Sequence, residues 1–166
     1  MSSILRVNMT AQKAAFEDVP ERYENLAARG LTSTIVADEV PPACRPLGPN
    51  NKLVIAPGIV TGTSAPTSGR LSVGGKSPLT GGIKEANVGG LAPQKLARLG
   101  IKAIIVEGQP EDGGWYLLKV DKSGAEIQPA PGLAGKGMYE IDEILWERHG
   151  KVAIIGIGQA GEMKMS

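Results

Sequence analysis

The sequence is poor in the residues on which most site chemistry relies. It holds one cysteine, Cys44, and one histidine, His149, in 166 residues. A lone thiol cannot close an internal disulfide, complete a thiolate zinc site or ligate a four-cysteine iron–sulfur cluster. Aromatics make up 4%, too few for the stacking platform that single-stranded nucleic acid needs. Neither sign of charge is in excess. Lys plus Arg number 18 against 17 acidic residues, a formal net charge of +1, so no global field draws nucleic acid or an anionic membrane. No apolar run approaches the ~18 residues that span a bilayer, and the start, Met1-Ser-Ser-Ile-Leu-Arg6, lacks the pattern of a secretory signal. A cytosolic location without nucleic-acid or membrane partners is the expectation.

Backbone freedom and backbone restriction are both abundant. Glycine (23) and proline (12) are common and predict many tight turns and close backbone approaches. Hydrophobic residues at 42% are enough to bury a core. Short apolar runs bounded by turn residues predict strands over Ile4–Val7, Ala14–Val19, Leu53–Ala56, Leu71–Val73, Ala103–Val106, Trp115–Val120, Ala125–Gln128 and Val152–Ile157. Apolar spacing of three and four predicts helices over Glu21–Ala28 and Leu31–Glu39, divided at Gly30, and over Leu91–Leu99 and Met138–Arg148. Asp112-Gly113-Gly114 and Asp121–Gly124 read as hairpin turns. The proline-rich loops Pro41–Pro46 and Gln128–Gly132 read as rigid connectors. The fold class is α+β, with largely antiparallel or mixed β-sheets and a few short helices. The last expected strand runs into Gln159–Glu162 and stops, so the chain reads as truncated, with uncovered apolar surface that favours self-association.

Chemistry concentrates in Gly58–Gly90, which holds nine glycines in 33 residues, with Arg70, Lys76, Lys84 and Glu85 as its charges. Successive glycine N–H groups form anion-binding concavities, Arg70 adds a planar fork for an oxyanion, and Asn87 adds an amide that donates and accepts. Two readings stand together: a backbone cradle for an anionic, heteroatom-rich ligand, or glycines that serve hairpin turns and sheet bends. Gly156-Ile-Gly158-Gln-Ala-Gly161 matches G-x-G-x-x-G, but five residues remain after it. The acidic residue of a dinucleotide site, ~20 positions later, has no place, and the match reads as coincidence. His149 reads as a helix end, Cys44 as a small semi-buried side chain, and Glu17, Asp18, Glu21 and Glu24 around Arg22 as a solvated helix start. No catalytic residue and no metal-ligand set is assigned.

Several segments, taken in order, resemble one family. They are Ile4-Leu-Arg-Val-Asn8, Ala28-Arg-Gly-Leu31, Pro46-Leu-Gly-Pro-Asn-Asn-Lys-Leu53, Thr61-Gly-Thr-Ser-Ala-Pro-Thr-Ser-Gly-Arg70, Lys76-Ser-Pro-Leu-Thr-Gly-Gly82, Ala86-Asn-Val-Gly-Gly90, Leu99 through Gly108, and Ile157-Gly-Gln-Ala-Gly-Glu162. Together they resemble the N-terminal domain of the aldehyde:ferredoxin oxidoreductases, the tungsten-pterin enzymes. The resemblance implies a single cofactor-supporting domain over 1–166, inactive alone. Its parent would oxidise aldehydes to carboxylic acids and pass electrons to ferredoxin. It also implies a tungsten or molybdenum bis-pterin with magnesium and a [4Fe–4S] cluster in that parent, and none of these groups on this chain by itself. Arg70 would hold a pterin or its phosphate. Asn87, Gly89 and Gly90 would contact the pterin, Asn87 lying near the magnesium that bridges the phosphates. Cluster cysteines, helical domains and a second pterin segment would lie outside the chain. Val88, Lys95 and Ile101-Lys102 depart from the family's pattern and bear on substrate class. Two neighbouring readings keep the fold: the active-site subunit of a related acyl-type reductase, and a free-standing binding or assembly module.

Overall fold

The computed structural model describes residues 2–165. Six strands form one mixed sheet: β1 (Ser3–Asn8), β2 (Lys13–Asp18), β3 (Lys52–Pro57), β4 (Arg70–Lys76), β5 (Ile83–Gly89) and β6 (Ile101–Glu107), in the spatial order β2-β1-β6-β3-β4-β5. Only β1 and β6 run parallel; every other neighbouring pair is antiparallel. A separate hairpin joins β7 (Tyr116–Asp121) to β8 (Gly124–Pro129). The helices are α1 (Glu21–Glu24), α2 (Ala28–Glu39), α3 (Leu91–Arg98), α4 (Met138–His149) and α5 (Gly158–Glu162). The α+β class with a mixed sheet is therefore the observed one.

The nearly unbroken apolar run of β6, Ile101-Lys-Ala-Ile-Ile-Val106, follows from burial on both faces. On one face, Leu31, Ile35 and Val36 of α2 pack on Ile4, Val54, Ala56, Ala103 and Ile105. On the other, Leu96 of α3 and the β7–β8 side chains Leu118, Val120 and Ile127 cover Leu5, Val7, Ile55, Leu71 and Ile104. The sheet is thus the middle of three layers. Helix α2 lies so close to β4 that a methyl group built on Gly74 would come 2.8 Å from Thr32 Cβ.

The two ends of α2 meet different chemistry. At its C-terminal end, Glu39 accepts from Arg6 Nη1 at 2.9 Å and from Lys52 Nζ at 2.7 Å. Lys52 also reaches Glu107 at 2.6 Å, Arg6 Nη1 reaches Glu107 at 3.2 Å, and Arg6 Nε reaches Glu17 at 3.0 Å. Burial alone would push the Glu39 and Glu107 carboxyls up. Hydrogen bonds and charge from Arg6 and Lys52 outweigh that and hold both below their ordinary 4.5. Burial likewise opposes the Arg6 charge, but its carboxylate partners raise its pKa overall.

Four expectations need correction. Gly30 does not divide two helices: it lies in the first turn of α2, and the break falls at residues 25–27. Burial of Leu31 and Ile35 extends the helix through it. Strand β5 went unread because its side chains are polar or exposed on both faces, Ile-Lys-Glu-Ala-Asn-Val-Gly. Between Ala103 and Gln128 there is one hairpin and not two, since β6 pairs with β1 and β3 while Asp112–Gly114 links it to the other sheet. Residues 152–157 form no strand. An apolar run becomes a strand only by pairing, and this one lies beside α4, where Trp146 Nε1 donates to the Val152 carbonyl at 3.1 Å.

Two measurements test this packing. Gly74→Ala should cost about 1–3 kcal/mol in denaturant unfolding, because Thr32 and the helix must shift. Arg6→Ala should cost about 2 kcal/mol at neutral pH, since it leaves two half-buried carboxylates on one lysine. Both carboxyls are lowered by folding, so their stabilisation is complete above 4.5 and is lost as pH falls through their folded values. Melting curves of Glu39→Gln should accordingly be flatter than wild type below about pH 5.

Candidate anion site at the open edge of the sheet

Strand β5 is an edge of the main sheet, and its pairing with β4 arranges the candidate residues. Arg70 lies opposite Gly89, Ser72 opposite Asn87, and Gly74 opposite Glu85. Residues two apart share a face, so Arg70, Ser72, Glu85 and Asn87 all stand on the side covered by α2. Ser72 is fully buried there, and its hydroxyl donates to Glu85 Oε1 at 2.8 Å. Because Ser72 gives its one proton to the carboxylate, the single Thr32 proton is shared between Ser72 Oγ at 3.0 Å and the Arg29 carbonyl at 3.3 Å. Arg29, in the first turn of α2, closes the chain by donating Nε to Glu85 Oε2 at 3.0 Å.

Arg70 is exposed. Among the described residues its guanidinium makes one hydrogen bond, a long one of 3.4 Å from Nη1 to Asn87 Oδ1, and no ion pair. Gly89 lies two residues after Asn87, and Gly90 then turns the chain into α3 at φ 110 with open space where a side chain would stand. Only glycine takes that backbone without strain. The structure therefore brings together the four residues read from the sequence, Arg70, Asn87, Gly89 and Gly90. The centre of the glycine-rich segment is the β4–β5 hairpin, and its ends carry an exposed cation, an amide and open backbone at Gly90.

The loop before Arg70 is pinned from beneath. Thr61, buried, places its hydroxyl 2.6 Å from the Ser68 carbonyl and 3.0 Å from that of Arg70. Gln94 of α3 accepts from the Gly62 N–H at 2.9 Å. Neither residue, nor the set Thr32, Ser72, Glu85 and Arg29, stands out in the sequence, because their partners are 7 to 56 positions away. The other residues considered lie elsewhere. His149 ends α4 before Gly150, and half-buried Cys44 packs against the core on the α2 side of the sheet. Gly156–Gly161 has no strand before it and only the five-residue α5 within and after it. Among the described residues no three His, Cys, Asp or Glu side chains converge as a metal site. No helix of the structure is long and apolar enough to cross a membrane.

Fold and site together define an α+β domain with a mixed sheet and an exposed, arginine-bearing edge. Comparison with known proteins then fixes the family. Residues 4–166 match the family described as the aldehyde ferredoxin oxidoreductase N-terminal domain, and the chain belongs to it. It is 42% identical over 162 residues to a tungsten-containing aldehyde ferredoxin oxidoreductase of Thermococcus kodakarensis, covering 95% of this chain and 26% of the relative. It is 40% identical to the enzyme of the same description from Pyrococcus furiosus, with the same coverage. A chain of the active site complex BamBC of benzoyl coenzyme A reductase, solved with 1,5-dienoyl-CoA, superposes with a TM-score of 0.83 at 29% identity, over 89% of this chain and 22% of that one. The chain thus spans about a quarter of the length of these relatives.

Thr61→Val keeps the side-chain shape and removes the hydroxyl. It should cost about 1 kcal/mol in equilibrium unfolding, because the loop loses one buried hydroxyl hydrogen bond while the Ser68 and Arg70 carbonyls keep the N–H groups of Arg70 and Gly58. A neutral substitution would mean that another group holds the loop.

Proposed function

We propose that this chain is the N-terminal, pterin-supporting domain of a tungsten or molybdenum oxidoreductase that converts aldehydes to carboxylic acids and delivers electrons to ferredoxin. The observation that supports it is Arg70: an arginine fork without a counter-ion among the described residues, beside a carboxamide and open glycine backbone, at an exposed sheet edge. A pterin carries phosphate and a ring rich in hydrogen-bonding heteroatoms, and these groups fit that set. Arg70 would bind a phosphate bidentately. Asn87, whose amide nitrogen has no partner among the described residues, would bind the pterin and offer an oxygen to a phosphate-bridging magnesium, a cation that takes few protein ligands. Gly89 and Gly90 would present backbone to the ring. When bound, the metal–pterin group supplies the two-electron chemistry; this domain anchors and orients it.

A [4Fe–4S] cluster does not fit this chain, which has one cysteine. Its ligands would belong to other parts of the parent, as would the substrate cavity. Exposed apolar side chains such as Ile59, Leu79, Leu91 and Tyr139 are the surface those parts would cover. In this reading the chain alone is inactive, and its apolar surface favours self-association. The likeness to a benzoyl coenzyme A reductase subunit supports a second reading, in which the parent reduces an acyl-type substrate on the same base. Turnover of the parent with aldehydes and with acyl thioesters separates the two.

The test of the cradle is pterin content and melting temperature of the parent carrying Arg70→Ala or Arg70→Lys. Arg70→Ala should lose most of the pterin while the apo fold loses under ~1 kcal/mol, and Arg70→Lys should recover part of the content, because the ammonium keeps the charge without the fork. Full pterin content in Arg70→Ala would contradict the assignment.

A further inference from the structure

We propose that Arg29 is a second anion-binding residue, forming with Arg70 a two-guanidinium clamp for the phosphate arm of the ligand. The proposal rests on the preceding reading for the ligand's identity.

Arg6 and Arg70 stand on the α2 face of the sheet and Arg29 on α2 itself, and their hydrogen bonding separates them. Arg6 uses all three of its nitrogens: Nε on Glu17, Nη1 on Glu39 and Glu107, and Nη2 on Glu39. It is saturated and structural. Arg29 uses Nε alone, on Glu85, and Arg70 uses Nη1 alone, on Asn87 at the limit of hydrogen-bond distance. Among the described residues the remaining donors of both forks have no partner.

Glu85 is what gives Arg29 a direction. Its carboxylate is only 13% exposed while the Arg29 side chain is 73% exposed. One oxygen accepts from Ser72 and the other from Arg29, so the acid is held inward and the arginine's outer nitrogens face solvent. The two anchors, Glu85 and Asn87, are two residues apart on one face of β5, about 7 Å along the strand. Arg29 bonds one anchor and Arg70 the other, so the two guanidinium groups share one edge, where one diphosphate, or a phosphate with its ester arm, would bridge them. The first turn of α2 adds no competing charge: it holds no acid, and its N-cap is Ala27, which has no side-chain acceptor.

The experiment is titration of inorganic pyrophosphate into the full 166-residue chain at low salt, read from arginine Nε–Hε signals by NMR, alongside melting temperatures. Arg29→Ala should weaken pyrophosphate binding about tenfold and also lower the melting temperature, because the largely buried Glu85 carboxylate loses its cation. Arg70→Ala should weaken binding comparably. Arg29→Lys keeps the pair with Glu85 and should bind several-fold more weakly than wild type, and it decides the matter if Arg29→Ala fails to fold. Unchanged affinity in Arg29→Ala or Arg29→Lys, with binding lost in Arg70→Ala, overturns the clamp and leaves the Arg70 cradle standing. Unchanged affinity in Arg70→Ala, or no binding by wild type, overturns the cradle and the clamp with it.

Discussion

Thr32 rests on Gly74 with no room for a methyl group between them, and this contact sets the position of α2 on the sheet. From it the helix crosses the strands so that its N-terminal end reaches β5 through Arg29 and Glu85, while its C-terminal end brings Glu39 to Arg6 and Lys52. One helix therefore spans two charge clusters of opposite character. The inner cluster is closed, with every charge answered. The outer one is open, with guanidinium donors left over. Packing in the middle of the helix decides both, because neither cluster can form if the helix rides higher or shifts by a turn.

The same contact explains how the edge strand is tolerated. Strand β5 has little apolar content, and its outer edge is unpaired. It is held by the antiparallel ladder to β4 and by the relay from Thr32 through Ser72 to Glu85. Polar side chains and glycines on such an edge discourage unwanted pairing, and they also leave backbone and side-chain donors accessible to a ligand. The features that make β5 a poor strand are the ones that make it a usable surface.

Legibility in the sequence followed burial. Strands β3 and β6 were readable as apolar runs because both faces are covered, and α3 was readable from Pro93 in its first turn and Gly100 past its end. Strand β5 was not, since period-two patterning disappears when neither face is buried. The run at 152–157 misled for the opposite reason: it is apolar enough for a strand but has no strand to pair with. Gly30 misled because intrinsic preference is weak beside the burial of Leu31 and Ile35. At the site, Arg70, Asn87, Gly89 and Gly90 were visible because they cluster in a glycine-rich stretch and carry the family resemblance. Arg29 and Glu85, 56 positions apart, meet only through tertiary packing.

Family membership rests on the whole chain, whereas the role of the sheet edge rests on a few side chains, and the edge is the point on which the functional account turns. The most direct measurement is a crystal structure of the pterin-loaded parent enzyme, read for the nearest neighbour of the Arg70 guanidinium. The account predicts a phosphate oxygen of the pterin within hydrogen-bond distance of Arg70, with Asn87 and the Gly89–Gly90 backbone against the same molecule. A pterin seated on another face, with Arg70 paired to a carboxylate from the rest of the parent, would contradict it.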